Sequence, residues 1–223
     1  MPTLSIVSTP IGNLEDVTHR AIRVLKESDL ILCEDTRKTS ILCRHYGIDR
    51  PLKSYRIHRL DEDGAYAVDK LREGWSLSLC TDAGTPALSD PGTHLVRLVR
   101  ATLPDVSIVP IPGPSALTAA LSVCGFRPNP FIFAGFLSIK SGARKRFFEQ
   151  YRDFDGLIIF FESVHRITKV LAEVREVLPE RPVFVGREMT KVYEEYRIVL
   201  PEDRITEKGE FTVILGLPGK GEA

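Results

Sequence analysis

The chain has 223 residues, enough for one large domain or two small ones with a proper core. Lys plus Arg equals Asp plus Glu at 30 each, so no whole-molecule field draws it to nucleic acid or to anionic membrane, and any such contact must come from a local patch. A hydrophobic content of 43% marks a soluble globular protein, and no apolar run approaches membrane-spanning length.

The first residues run straight into a strand, so no signal peptide is expected. The four cysteines, Cys33, Cys43, Cys80 and Cys124, form no C-x-x-C pair. Cys33 and Cys80 fall in apolar, strand-like runs. This pattern reads as buried thiols in a reducing cytoplasm, with no metal site.

Leu4 to Ser8 reads as a strand that ends in the Pro/Gly turn Thr9-Pro10-Ile11-Gly12-Asn13-Leu14, and Asp16 or Thr18 then starts a helix. The turn is neither G-x-G-x-x-G nor G-x-x-x-x-G-K-[ST], which disfavours a Rossmann dinucleotide site and excludes a P-loop. Leu30 to Cys33 is a second buried strand, ending in Glu34-Asp35-Thr36-Arg37-Lys38-Thr39. Two readings of that cluster stand. Asp35 or Thr36 caps a helix beside an exposed Arg37, or Glu34 and Asp35 are acid–base or substrate-orienting groups. A short strand around Leu52 to Tyr55 leads to Arg56-Ile57-His58-Arg59, a solvated loop or, with Arg37, Lys38, Arg44 and His45, part of a basic face. No carboxylate or cysteine stands at ligand spacing from these histidines. Asp61 to Arg72 has the apolar spacing of a surface helix.

Leu77 to Cys80 is a further buried strand, followed by Thr81-Asp82-Ala83-Gly84-Thr85-Pro86-Ala87-Leu88-Ser89-Asp90-Pro91-Gly92 and a helix from Thr93. Open α/β sheets place their ligands at such carboxyl strand ends. Gly84 permits close approach of a ligand, the prolines stiffen the loop, and Asp82 and Asp90 put carboxylates at its rim. The structural alternative is a rigid connection with Asp90 or Thr93 as a helix cap. Val106 to Val109 is a strand. Pro110, Pro112 and Pro114 then exclude a helix or central strand before a helix begins near Ser115. This stretch is the expected junction between an N-terminal α/β domain, 1–112, and a C-terminal mixed α/β domain, 113–223.

The second half is more aromatic. Phe131 to Phe136 reads as a strand, and Lys140 to Arg146 as a basic, flexible segment entering a helix, the best local nucleic-acid footprint in the chain. Gly156 to Phe161 is a buried strand ending in Glu162-Ser163-Val164-His165-Arg166. Pro182 to Gly186 is another, ending in Arg187-Glu188-Met189-Thr190-Lys191. Tyr196 to Leu200 and Phe211 to Leu217 follow without a long helix between them, which predicts hairpin-type antiparallel pairing. Polar groups thus collect at five strand ends, at Thr9, Glu34, Asp82, Glu162 and Arg187, as in a two-domain α/β enzyme with a cleft. Periodicity and composition do not identify the cofactor or the reaction.

The segments Val7 to Leu14, Glu34 to Arg37, Thr81 to Gly92, Pro112 to Ala116, Glu162 to Arg166, Arg187 to Lys191 and Lys208 to Phe211 together resemble the tetrapyrrole methylase superfamily. More closely they resemble its ribosomal RNA small subunit methyltransferase I group. The motifs come in the family order and cover nearly the whole chain. The resemblance implies two α/β domains with S-adenosylmethionine (SAM) in a cleft between them. It also implies a cytoplasmic homodimer that methylates the ribose 2′-hydroxyl of a cytidine of 16S rRNA in the small ribosomal subunit. By position, the cofactor is expected at Pro10, Asp82, Gly84, Thr85, Pro86, Leu88, Ser115 and Ala116, with Phe161, Met189 and Phe211 as the second-domain wall.

Glu34, Asp35, Glu162 and Glu188 are the candidate catalytic carboxylates. Arg37, Arg166, Arg187 and Lys191 are expected to position phosphates, and Arg56, Arg59, Arg144, Lys145 and Arg146 to face the RNA. The chain departs from the family at Arg56 to Arg59, where members often carry a His-rich stretch, and many members continue well beyond the position of Gly219. Two alternatives are a small-molecule, tetrapyrrole-type methyltransferase of the same superfamily and a noncatalytic ribosome-associated binding protein. The basic segment at Lys140 to Arg146 and the Glu34 to Arg37 motif favour the RNA enzyme.

Overall fold

The structure, a computed structural model, describes residues 1–88 and 92–217. The chain divides into two compact units, Met1–Ser115 and Ala116–Ala223, with the division after Ser115 rather than at 112/113.

The first unit alternates strands and helices: β1 (Thr3–Val7), α1 (His19–Glu27), β2 (Leu30–Cys33), α2 (Thr36–His45), β3 (Leu52–Ser54), α3 (Leu60–Arg72), β4 (Leu77–Cys80), α4 (Gly92–Thr102) and β5 (Ser107–Ile111). Its five strands lie in the order β3-β2-β4-β1-β5, and each pairing is parallel. Successive strand residues point to opposite faces. Accordingly, Leu30, Leu32, Leu77 and Leu79 pack with Leu71, Leu95 and Val99 on one face. Ile31, Cys33 and Cys80 pack with Ala21, Leu25 and Leu42 on the other. Burial on both faces is why these strands read as unbroken apolar runs rather than alternating ones. β5 runs on through Pro110 to Ile111, further than its apolar run suggests. Its place at the sheet edge lets it carry a residue without an amide donor. Thr18 caps α1 by accepting from the Ala21 amide at 3.1 Å, and Asp35 caps α2 through the Arg37 amide at 2.9 Å.

The second unit comprises α5 (Ala116–Val123), β6 (Phe131–Phe136), α6 (Ser141–Gln150), β7 (Leu157–Ser163), α7 (Ile167–Val177), β8 (Val183–Arg187), β9 (Glu195–Val199) and β10 (Glu210–Leu215). The strand order is β6-β7-β10-β8-β9; β6 and β7 are parallel and the remaining pairs antiparallel, giving the expected mixed sheet. Val213 stands opposite both Phe160 and Val185, and these residues form one core with Phe148 of α6 and Val170, Leu171 and Val174 of α7.

Here the structure corrects one expectation. Residues from Ser141 onward are helical rather than flexible. Arg144 turns inward and is 2% exposed, bound through Nε and Nη2 to the Glu173 carboxylate at 2.7 Å each. Its Nη1 donates to the carbonyls of Ser138 and Ile139 at 2.8 Å each. The Glu173 carboxyl is held below its usual range by these bonds to Arg144, which outweigh the opposing effect of burial.

Removing one partner strands a buried charge. Arg144→Met is expected to lower the unfolding free energy by about 3–5 kcal/mol, whereas Arg144→Met/Glu173→Leu recovers most of that loss. Urea titrations check both. Because the folded-state pKa of Glu173 is depressed, the pair's contribution is present above the unfolded carboxylate pKa and is lost as pH falls through the lowered value. The stability gap between the single variant and the wild type is therefore expected to narrow in acid.

Candidate functional site

β2, β4 and β1 are neighbours, so the loops at their carboxyl ends meet. Thr9 and Gly84 form an isolated antiparallel bridge: Thr9 N donates to Gly84 O at 2.9 Å, and Gly84 N to Thr9 O at 3.0 Å. Gly84 holds φ +79°, a left-handed conformation natural to glycine, and a Cβ there would meet Ile11 at 3.4 Å. The Thr9 hydroxyl donates to Thr81 O at 3.1 Å. The Thr85 hydroxyl donates to Pro114 O at 3.1 Å, so the Ser8 hydroxyl, 3.0 Å away, is the donor to Thr85. The turn after β1, the loop after β4 and the proline segment after β5 thus form one hydrogen-bonded frame. Ala87 in the same loop sits at φ 75°, a conformation that L residues adopt only where surrounding contacts hold them.

The loop after β2 joins this frame through Asp82, whose carboxylate accepts from Asp35 N at 3.0 Å and from Lys38 Nζ at 2.7 Å. Arg37 grips Asp35 with two donors, Nε at 3.0 Å and Nη2 at 2.6 Å. These hydrogen bonds hold the Asp35 carboxyl far below the carboxylate range, and the bond to Asp82 raises the Lys38 ammonium. Beside them lies a cleft of about 130 Å³ lined by Thr9, Pro10, Leu14, Lys38, Thr39, Ile41, Leu42, Thr81 and Asp82. Thr81 is 3% exposed, and its hydroxyl has no hydrogen-bond partner among the described residues.

Of the residues expected at a cofactor, Pro10 and Asp82 line this cleft, while Gly84, Thr85, Pro86 and Leu88 form the loop that frames it. Ser115 ends the first unit and Ala116 starts α5 of the second. Asp90 lies outside the described residues. In the second unit, Phe161 packs edge-on to Phe133 at 4.9 Å and to Phe136 at 5.7 Å. Met189 is buried between Glu188 and Thr190, two residues with positive φ. Phe211 is 2% exposed and packs within the second core.

In the second unit, the candidate residues Glu162, Arg166, Arg187, Glu188 and Lys191 each have a charged partner. Glu162 is 1% exposed and holds Arg166 at 2.6 Å, and Arg166 also donates to Leu137 O at 3.1 Å. Glu188 is pushed up by burial, but Lys191 at 2.7 Å and the Glu210 amide outweigh this and hold it below its usual range. Lys191 also reaches Glu210 at 2.9 Å. Arg187 binds Glu195 at 3.0 Å and the carbonyls of Tyr193 and Lys208 at 3.0 and 3.3 Å.

Arg144, Arg166, Arg187 and Lys191 therefore brace the second unit, and Arg144 is removed from the expected RNA-facing set by its burial. Lys145 reaches Glu176 at 2.6 Å, Arg59 reaches Glu62 at 2.5 Å, and Arg37 keeps 89% side-chain exposure despite its pairing. Arg56 and Arg146 are exposed and make no side-chain hydrogen bond or ion pair among the described residues. Lys38 and Thr81 were not singled out from sequence as site residues. Their signal is their place in the Glu34 to Thr39 and Thr81 to Gly92 clusters, but the Lys38–Asp82 pair spans a long sequence separation that only the parallel sheet closes.

All four cysteines are buried and free, and among the described residues no group of His, Cys, Asp or Glu could hold a metal ion. No described helix is long and apolar enough to cross a membrane.

Residues 3–203 match the family model of the Tetrapyrrole (Corrin/Porphyrin) Methylases. A protein of Leptospira biflexa named Ribosomal RNA small subunit methyltransferase I is 46% identical over 187 residues, covering 84% of this chain and 77% of that protein. A Thermotoga maritima protein of the same name is 42% identical over 96% of this chain and 98% of its own length. The match to the Haemophilus influenzae protein of that name is 44% identical and spans 66% of its length. Among solved structures, the methyltransferase CobJ superposes with a TM-score of 0.73 at 18% identity, over 97% of this chain and 95% of its own, a likeness of fold. With this fold, these loops and these relatives, the chain belongs to the tetrapyrrole methylases, a family of SAM-dependent methyltransferases.

Proposed function

We propose that the chain transfers the methyl group of SAM to the ribose 2′-hydroxyl of a cytidine in 16S rRNA of the small ribosomal subunit, acting as a cytoplasmic homodimer. The observation that carries this reading is identity of 42–46% to proteins named Ribosomal RNA small subunit methyltransferase I, extending over most of the chain. The frame at Thr9, Gly84 and Thr85 suits the cofactor, because Gly84 keeps its loop free of a side chain and the frame fixes the neighbouring Pro10, Pro86 and Leu88. When bound, SAM supplies an electrophilic methyl carbon on a sulfonium. The ribose hydroxyl would accept that methyl with departure of the sulfide, and its proton would pass to a base or to water.

The chain's own contribution is orientation. Asp35 and Glu188 are held ionised by Arg37 and Lys191, which lowers their basicity, so in this reading they position neighbouring groups. Glu34, at the carboxyl end of β2, keeps its standing as a candidate base.

SAM is expected to bind about once per chain, and Gly84→Val to abolish binding, because a branched side chain at φ +79° is strained and fills the loop. Calorimetry decides this, and retention of wild-type SAM affinity by Gly84→Val would refute it. For the RNA, the reading rests on exposed cations without a side-chain partner among the described residues, Arg56 and Arg146 among them. Arg56→Ala and Arg146→Ala are each expected to reduce the log–log salt slope of small-subunit binding by roughly 0.7–0.9, with SAM affinity unchanged. Unchanged slopes in both variants would assign these arginines to solvent. Sedimentation at micromolar concentration is expected to show a species of twice the 25.0 kDa chain mass, and a clean monomer would sink the dimer.

A further inference from the structure

The residues lining the cleft beside the Thr9–Gly84 frame include three whose polar groups have hydrogen-bonding capacity to spare. Lys38 Nζ carries three N–H bonds and spends one on Asp82. The Asp82 carboxylate accepts one hydrogen bond on each oxygen and has lone pairs left over. The Thr81 hydroxyl is buried without a partner among the described residues, a condition native structures seldom leave unexplained. Around these groups stand Pro10, Leu14, Ile41 and Leu42, and Ile41 is 58% exposed at the margin. The cleft's volume of about 130 Å³ falls well below the roughly 300 Å³ at which pockets begin to hold drug-sized ligands. It suits a single planar ring rather than a purine or a whole nucleoside cofactor.

We propose that this cleft receives the base of the target nucleotide and reads the amino edge of cytosine through Asp82, Lys38 and Thr81. The inference rests on the rRNA reading above. Enzymes that modify nucleotides commonly take the base out of its stack and read its Watson–Crick edge by hydrogen bonds between apolar walls. Cytosine presents an exocyclic amine beside a ring-nitrogen acceptor. Asp82 accepts from the amine, as carboxylates do from cytosine N4; Lys38 donates to the ring nitrogen, and the Thr81 hydroxyl adds a contact of either sense. Uracil presents a carbonyl where the amine was and an N–H where the acceptor was. Its acceptor then faces the carboxylate and its donor faces the ammonium. A site built to hydrogen-bond its substrate rejects such a mismatch, because the partly buried Asp82 carboxylate, 22% exposed, then faces an acceptor instead of a donor.

The test measures kcat/KM for methyl transfer from labelled SAM to small subunits carrying cytidine or uridine at the position the wild type modifies, with SAM calorimetry on each protein. The wild type is expected to prefer cytidine by about tenfold or more. Lys38→Met, whose side chain is largely exposed, and the near-isosteric Thr81→Val are expected to erode that preference through loss on cytidine alone. Asp82→Asn is expected to move the preference toward uridine: its oxygen can still accept from the Asp35 amide while its NH₂ offers the cleft a donor. SAM affinity should be unchanged in Lys38→Met and Thr81→Val.

An unchanged cytidine-to-uridine ratio in all three variants overturns the proposal. So does loss of SAM affinity in Lys38→Met and Thr81→Val, which would make the cleft part of the cofactor site. A wild type that binds SAM and methylates both subunits equally overturns this inference alone. A wild type that methylates neither overturns the rRNA reading, and this inference with it.

Discussion

The first unit depends on the reciprocal backbone pairing of Thr9 and Gly84. β1 and β4 run parallel, and a parallel ladder alone would let their loops diverge past Val7 and Cys80. The two hydrogen bonds between Thr9 and Gly84 extend the association by one antiparallel bridge, which requires the Gly84 backbone to turn to φ +79°. From that point the side chains continue the frame, Thr9 to Thr81, Thr85 to Pro114 and Ser8 to Thr85. Asp82, carried on the same loop, reaches across to the start of α2. A loop stretch with Pro86 and a bridged glycine gives up little further conformational entropy when a ligand arrives, which is the physical basis of preorganisation.

The second unit uses charge differently. Glu162–Arg166 and Arg144–Glu173 each bury a carboxylate against an arginine that also donates to the Leu137–Ile139 backbone. Buried ion pairs contribute little net stability, but losing one member is costly. Their consequence here is geometric, since they fix the chain between β6 and α6. Arg187 and Lys191 do the same for the segment after β8, where Glu188 and Thr190 adopt positive φ. Several charges that the sequence offers as phosphate contacts are thereby spent on the fold, whereas Arg56 and Arg146 are exposed and make no side-chain hydrogen bond or ion pair among the described residues.

Strands were highly legible in this sequence. Leu30–Cys33, Leu77–Cys80 and Phe131–Phe136 have the bounds their runs suggest, the first two because they are buried on both faces. Helix starts were legible where a capping side chain is local, as at Thr18 and Asp35. The Lys140–Arg146 segment was misread because the acid that neutralises Arg144 lies on α7, beyond any local pattern. Alternation along β10 likewise tells which residues share a face, not which face meets the helices, so the packing of Phe211 in the second core was not legible.

The sequence by itself determined the alternation of strands and helices, the mixed second sheet and, through ordered motifs, the family. These depend on local periodicity, capping and motif spacing, which are written along the chain. Only the tertiary structure decided which charged groups are spent on the fold and which remain available. It also brought Lys38 to Asp82 and left the buried Thr81 hydroxyl without a partner among the described residues. Those outcomes depend on contacts between residues tens of positions apart, and a parallel sheet creates them only when its strands assemble out of sequence order.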